Sequence, residues 1–186
     1  MMFQPIETRR LIIRRFRPDD YTALYDYLSD ETVVRFEPYD PYSLKQAKRE
    51  AEYRSNSEEF FAVTLKDGGN LIGNLYLGKR QYECYELGFV FHRNWQMYGY
   101  ATESASALLD YAFGTLKAHR VIAECHPLNY RSHKLMERLG MRREAELKQN
   151  VYYKKDVFGN PIWQDTLQYA ILSEEWHGGE GSGNIQ

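Results

Sequence analysis

Tyr82-Glu83-Cys84-Tyr85-Glu86-Leu87-Gly88-Phe89-Val90-Phe91-His92, followed by Gln96-Met97-Tyr98-Gly99-Tyr100-Ala101-Thr102, is the stretch that decides the fold. The first part is rich in aromatic and aliphatic residues and predicts a strand. From Gly99 the period changes: Ala101, Ala105, Leu108, Leu109, Ala112, Phe113 and Leu116 fall on one stripe of a helix. The first turn of such a helix carries unpaired N–H groups and a partial positive charge. Phosphate binds there when the backbone can be approached closely. Gly99 and Ala101 are small, and Thr102 adds a hydroxyl donor. The same residues also fit an ordinary strand-to-helix turn in which Gly99 only relieves crowding, and spacing alone favours that plainer alternative. The sequence has no Walker-type Gly-Lys-Ser/Thr and no Gly-x-Gly-x-x-Gly, so triphosphate and dinucleotide binding find no support.

On the N-terminal side, residues 60–65 and 71–77 flank Asp67-Gly68-Gly69-Asn70, a hairpin signal, because glycine supplies the positive φ of a tight turn. Further back, residues 11–16 predict a first strand. Pro18-Asp19-Asp20 opens a helix with Tyr21, Leu24, Tyr25 and Leu28 at helical spacing. Pro38 and Pro41 interrupt the next stretch, and a polar helix is expected from Ser43 to about Arg54. On the C-terminal side, residues 120–125 predict a strand and residues 129–139 a helix stopped at Gly140. Two strands, near 145–154 and 162–172, flank the turn Phe158-Gly159-Asn160-Pro161. The order is strand, two helices, three strands, helix, strand, helix, two strands. It predicts an α/β layered domain with a mixed sheet. One domain is expected over residues 1–177, with a Gly-rich, disordered tail at 178–186.

A chain of 186 residues suits one domain with a real core. Its 43% hydrophobic and 15% aromatic content argues against disorder over most of that length. A formal net charge of -2 gives no basic excess, so nucleic acid is not expected as the main partner. No apolar run is long enough to span a membrane, and the first residues lack the apolar core of a signal peptide. Cys84 and Cys125 form no Cys-x-x-Cys pair. Reduced thiols and a cytoplasmic location are expected, although a disulfide is not excluded by sequence.

Four segments, in order, carry a family resemblance. Gln96-Met97-Tyr98-Gly99-Tyr100-Ala101 matches the Gln/Arg-x-x-Gly-x-Gly/Ala motif of the GNAT superfamily of N-acetyltransferases. Continued through Thr102 and Glu103, it resembles the RimJ/RimL-type branch, which acetylates ribosomal-protein alanine and serine N-termini. Glu7-Thr8-Arg9-Arg10-Leu11-Ile12-Ile13-Arg14 resembles that branch's first strand, and Tyr85–Phe91 its central strand. Asn129-Tyr130-Arg131-Ser132, continuing to Met141, resembles its second cofactor motif. The resemblance covers nearly the whole chain except the tail. It implies the GNAT fold, with a mostly antiparallel sheet and splayed central strands, and acetyl-CoA as co-substrate. Backbone N–H groups from Met97 to Thr102 would hold its pyrophosphate. The central strand would end in a bulge and part from the strand at 120–125. Pantetheine would pair there with backbone near Phe89 and Phe91, and the N–H of Val90 or Phe91 would polarise the thioester carbonyl.

Acetylation needs a neutral amine, so a base helps. Glu86 stands where the superfamily's glutamate base is often found; a strand glutamate paired with a lysine or arginine is an equally good account. Glu83 is the next candidate. Asn129 is a natural N-cap, and in the family it also bonds the pantetheine amide. Ser132 lies one helical turn on, and the resemblance makes it the group that protonates the thiolate. Met136 stands where many members carry a tyrosine acid, which puts that mechanism in doubt. No histidine spacing suggests a metal site. The acceptor groove would draw on Glu31, Arg35, Phe36, Glu37, Tyr39, Tyr42, Tyr152, Tyr153 and Trp163, where aromatics with carboxylates suit a cationic amine. A protein N-terminal α-amine fits the branch. A small amine (polyamine, amino acid or antibiotic) fits the chemistry, and a non-catalytic acyl-CoA sensor is the alternative of another class. A monomer and a homodimer are both compatible with the sequence.

Overall fold

The computed structural model describes residues 3–178 and resolves the alternating runs into an eight-stranded sheet. Its strands are β1 (Ile6–Glu7), β2 (Leu11–Arg14), β3 (Phe60–Leu65), β4 (Leu71–Lys79), β5 (Cys84–Phe91), β6 (Arg120–Cys125), β7 (Arg142–Lys155) and β8 (Pro161–Leu172). They lie in the order β1-β2-β3-β4-β5-β6-β8-β7. Every neighbouring pair is antiparallel except β5 and β6. The helices are α1 (Tyr21–Leu28), α2 (Glu31–Val34), α3 (Leu44–Ser55), α4 (Tyr100–Gly114) and α5 (Tyr130–Arg138). The expected α/β architecture with a mostly antiparallel sheet is the one observed. The expected tail lies outside the described residues save for Gly178.

Both faces of the sheet are buried. On one, α4 and α5 pack Ala105, Leu108, Leu109, Leu135 and Met136 against Leu75, Leu87, Phe91 and Val121. On the other, α1 and α3 bring Leu24, Leu28, Ala47 and Ala51 against Ala62 and Val90. Successive strand residues point to opposite faces. Tyr85, Leu87 and Phe91 therefore join the first core, whereas Glu86, Gly88 and Val90 look towards the second.

Local chemistry sets the helix starts. Ser43 caps α3 in a reciprocal box with Gln46: the Ser43 N–H donates to Gln46 Oε1 at 2.9 Å. Asp30 caps α2, accepting from the Thr32 N–H at 2.8 Å. The short β1 and α2 were not expected, because each is too brief to show a period. The central strand begins later than expected, at Cys84, because Tyr82 and Glu83 turn with φ of 58° and 55°. Cys84 and Cys125 are both free. Cys84 pairs with Arg120, which puts Cys125 roughly 16 Å further along the neighbouring strand, beyond disulfide reach.

Candidate active site

β5 runs beside β6 only through Cys84↔Arg120, Tyr85↔Val121 and Glu86↔Ile122. Beyond Glu86 the two strands part. The expected splay is present, but the expected bulge is not: β5 keeps unbroken register with β4 from Lys79↔Tyr85 to Gly73↔Phe91. β5 separates from β6 without losing its place against β4.

That register also decides which backbone groups face the opening. The Arg80 N–H donates to Cys84 O at 2.8 Å and the His92 N–H to Ile72 O at 2.9 Å. Antiparallel pairs alternate between bonded and non-bonded, so Glu86, Gly88 and Val90 aim their N–H groups at β4. The Leu87 N–H is spent on Ile122 O in the last rung with β6, and Phe89 and Phe91 aim theirs at the parting. Of the two donors expected near the thioester, Val90 is therefore committed to the β4 ladder, and Phe91 is the one directed into the gap.

Past β5 the chain turns through residues 96–102. Met97 has φ 69° and Gly99 φ 79°, both left-handed. Gly99 is the residue before the first turn of α4, and the first bond of the helix is from the Glu103 N–H to Gly99 O at 2.9 Å. Met97 and Tyr98 are exposed, so the backbone around them is open to solvent. The residues fit an anion cradle: a helix start, a glycine where a side chain would be strained, and accessible N–H groups. Gln96 does something else with its side chain. Its Nε2 donates to Phe91 O at 2.8 Å and its Oε1 accepts from Arg131 on α5, so it braces the end of β5 to the helix across the parting.

Sequence reasoning missed what holds the cradle. Glu103, in the first turn of α4, accepts from Thr8 Oγ1 at 2.6 Å, from the Arg10 N–H at 2.8 Å and from Arg10 Nε at 2.7 Å. Burial works against its charge, but these donors outweigh it and hold the carboxyl below its ordinary range. The Arg10 guanidinium also lies 4.4 Å from the centre of the Tyr100 ring. Beside it, Arg9, Arg10 and Lys66 line a basic cleft of about 560 Å³ with Trp95 and Tyr100.

A second cleft, of about 510 Å³, lies on the other side of the parting and is lined by Glu86, Gly88, Val90, Asn129 and Ser132. Phe36, Glu37, Tyr39, Tyr42, Arg54, Glu124, His126 and Tyr153 complete much of its wall. Glu86 is ion-paired to Arg80, whose Nε donates to it at 2.9 Å. Glu86 is thus paired with an arginine, as one of its two accounts from sequence has it, and it also faces the cleft. Asn129 Oδ1 accepts from the Ser132 N–H at 3.3 Å, the expected cap. Met136 is fully buried in the core and faces no substrate space. Glu31, Arg35, Tyr152 and Trp163, named as groove residues, are not part of the cleft wall.

The floor of this cleft is acidic and aromatic. Burial raises the Glu37 carboxyl to about 7, with Tyr39 and Arg54 pulling the other way. The Tyr39 and Tyr153 hydroxyls are pushed up, by burial first and then by neighbouring carboxylates: Glu37 for Tyr39, and Glu124, Glu37 and Glu86 for Tyr153. The His126 imidazole is pushed down by burial and by Arg35, and its ring stacks on Phe36 at 5.1 Å.

Comparison with known proteins agrees with this geometry. The acetyltransferase (GNAT) domain family matches residues 10–142, and the chain belongs to that family. YnaD, an uncharacterized N-acetyltransferase of Bacillus subtilis, is 39% identical over 177 residues, covering 92% of this chain and 99% of its own. The crystal structure of a GNAT-family acetyltransferase from Bacillus anthracis superposes with a TM-score of 0.84 at 35% identity, covering 92% of this chain and 100% of that one. The ribosomal protein uS5-alanine N-acetyltransferase of Escherichia coli is 25% identical, over 92% of each chain. The protein is an acetyl-CoA-dependent N-acetyltransferase. No helix among the described residues is long and apolar enough to cross a membrane.

Proposed function

We propose that this enzyme acetylates a protein N-terminal α-amine by direct attack of the amine within a ternary complex. What carries the proposal is one shared space: the parting of β5 from β6 opens beside the cradle on one side and onto the cleft of Glu86 and Ser132 on the other. The likeness to an enzyme named for an alanine N-terminus of a ribosomal protein supports the acceptor class.

Acetyl-CoA, when bound, supplies an electrophilic acyl carbon and a thiolate that leaves readily. The chain's own groups do the rest. Backbone N–H groups from Met97 to Thr102 hold the pyrophosphate against the start of α4. Phe89 and Phe91 offer backbone groups along the parting, as an edge strand would to an added one. The Phe91 N–H donates to the carbonyl oxygen of the thioester, where negative charge develops. Glu86 accepts the proton that the ammonium must lose, directly or through water, and Arg80 fixes the orientation of its carboxylate. Ser132, at the cleft wall, gives its proton to the departing sulfur as it takes the second proton that the nitrogen sheds on becoming an amide, with the Asn129 cap ordering its turn.

The acidic lining equally favours a small cationic amine, which is the second reading. A thiol-release assay across peptides with free N-termini and small amines separates the two by which class supports turnover. Silence throughout would favour the acyl-CoA sensor. For Glu86→Gln, we expect turnover to fall about a hundredfold at neutral pH, with the deficit shrinking at high pH where free amine accumulates. An unchanged rate at every pH would remove Glu86 as the base.

A further inference from the structure

Arg54 occupies a place that helical spacing reserves for an apolar side chain. It continues the inward stripe of α3 after Ala47 and Ala51, both fully buried, and is itself 3% exposed. Its guanidinium is fixed on several sides. Nε donates to Glu50 at 2.7 Å, and the group lies 4.6 Å from the centre of the Phe60 ring and 5.4 Å from that of Phe16. Nη1 is different. It is the buried side-chain nitrogen that, among the described residues, has no hydrogen-bond partner.

The Tyr27 hydroxyl interacts with the guanidinium while donating its own proton to Asn74, and Nη1 is still left without a partner. Glu37 is close enough to feel the charge of Arg54, and Tyr39 and Arg54 both favour its charged form against the effect of burial. The side-chain oxygen of Asn74 accepts from the Tyr27 hydroxyl at 2.7 Å. Arg54, Glu37, Tyr39 and Asn74 all line the same cleft as Glu86. Folded proteins seldom leave a buried donor unpaired without a reason, and the residue that carries this one belongs to the wall of a substrate-sized space.

We propose that Arg54 is a specificity-determining residue: its Nη1 takes an oxygen that the acceptor carries in addition to its reacting amine. The inference rests on the proposed N-acetyl transfer in this cleft. The carboxylates of Glu86 and Glu124 draw an amine in, but a fixed cation in the same wall opposes a purely polycationic ligand. The chemistry that satisfies both is an amino acyl compound, with an amine and a carbonyl or carboxylate oxygen. A peptide N-terminus and a free amino acid share that chemistry. A polyamine lacks the oxygen.

The test uses the full chain with acetyl-CoA and four acceptors: an alanyl peptide, free alanine, isopropylamine and spermidine. Wild-type kcat/KM should favour at least one oxygen-bearing acceptor over both oxygen-free amines by about tenfold or more, the effect of one hydrogen bond to a charged group. The peptide and alanine arms distinguish a carbonyl from a carboxylate. In Arg54→Lys that preference should collapse through KM, with kcat and acetyl-CoA affinity retained. Should that variant not fold, the guanidinium NMR signals of Arg54 in the wild type decide instead. They should shift with alanyl peptide or alanine in the presence of coenzyme A, and not with isopropylamine. Equal use of oxygen-free amines, or signals that ignore every oxygen-bearing acceptor, would overturn the assignment of Arg54. Absence of thiol release from all four would count against the proposed transfer, while the titration still decides Arg54.

Discussion

The cradle at residues 96–102 offers a ligand mostly backbone, whereas the cleft around Glu86 offers side chains from α3, β5, β6, β7 and the loop after α2. The cradle is a short piece of contiguous chain with exposed Met97 and Tyr98. The cleft gathers residues as far apart as Glu37 and Thr166. Backbone N–H groups are the same in every protein, so a cradle made of them can recognise a ligand common to a whole family. Carboxylates, phenols and one buried guanidinium differ from protein to protein, and a cleft lined with them can distinguish one amine from another. The difference teaches where specificity in this enzyme should be sought: on the far side of the parting from the proposed phosphate cradle.

The comparison breaks most visibly at Gly99. Gly99→Asp forces a side chain into φ 79° and sets a carboxylate where the pyrophosphate is proposed to lie. Strain of about 1–2 kcal/mol and charge repulsion together should weaken acetyl-CoA about a thousandfold in calorimetry. Acceptor binding should be spared. Wild-type affinity in the variant would mean that the cradle is only a turn.

A smaller effect belongs to the cleft. Burial raises Glu37 from 4.5 to about 7, so the folded state holds its proton more tightly than the unfolded chain does. Its contribution is fully present below pH 4.5 and declines as pH rises towards 7. Glu37→Gln removes that slope. Relative to wild type the variant should gain stability above pH 7, by up to about 3 kcal/mol, with the gap closing below pH 4.5. Denaturant titrations across that range measure it. Parallel curves would show that Glu37 titrates normally.

The smallest effect sharpens the cradle side. Glu103 is held below its ordinary range, so its stabilisation is present at neutral pH and lost as pH falls through the folded value. Glu103→Gln keeps the shape but weakens its bonds with Thr8 and Arg10. A loss of about 1–2 kcal/mol at pH 7 is expected, fading in acid. A variant as stable as wild type at both pH values would make the Glu103 contacts incidental.

These two regions were not equally legible in the sequence. The helix stripe from Ala105 to Ala112, the hairpin at 67–70 and the turn at Gly99 are local patterns, and local patterns survive without a structure. The family motif added the proposed pyrophosphate site because it, too, is contiguous. Register was less visible. Whether Val90 or Phe91 faces the gap depends on which residues of β5 bond to β4, and only the ladder decides that. Arg54 was hidden for another reason. At the end of a polar helix it looked like one more surface charge, although its spacing from Ala47 and Ala51 was the available signal. Glu103 likewise showed only as part of a motif, since its partners lie more than ninety residues away.

The parting of β5 and β6 has a mechanical meaning as well. In hydrogen-bonding terms the sheet is two plates, β1 to β5 and β6 to β8, hinged on three residue pairs at one end. Rotation of one plate against the other about that hinge breaks no further ladder bonds. It must instead work against the packing of α4 and α5, which lie against both plates, and against the brace from Gln96 to Arg131. The stiffness of the seam is thus set by side chains rather than by the sheet itself.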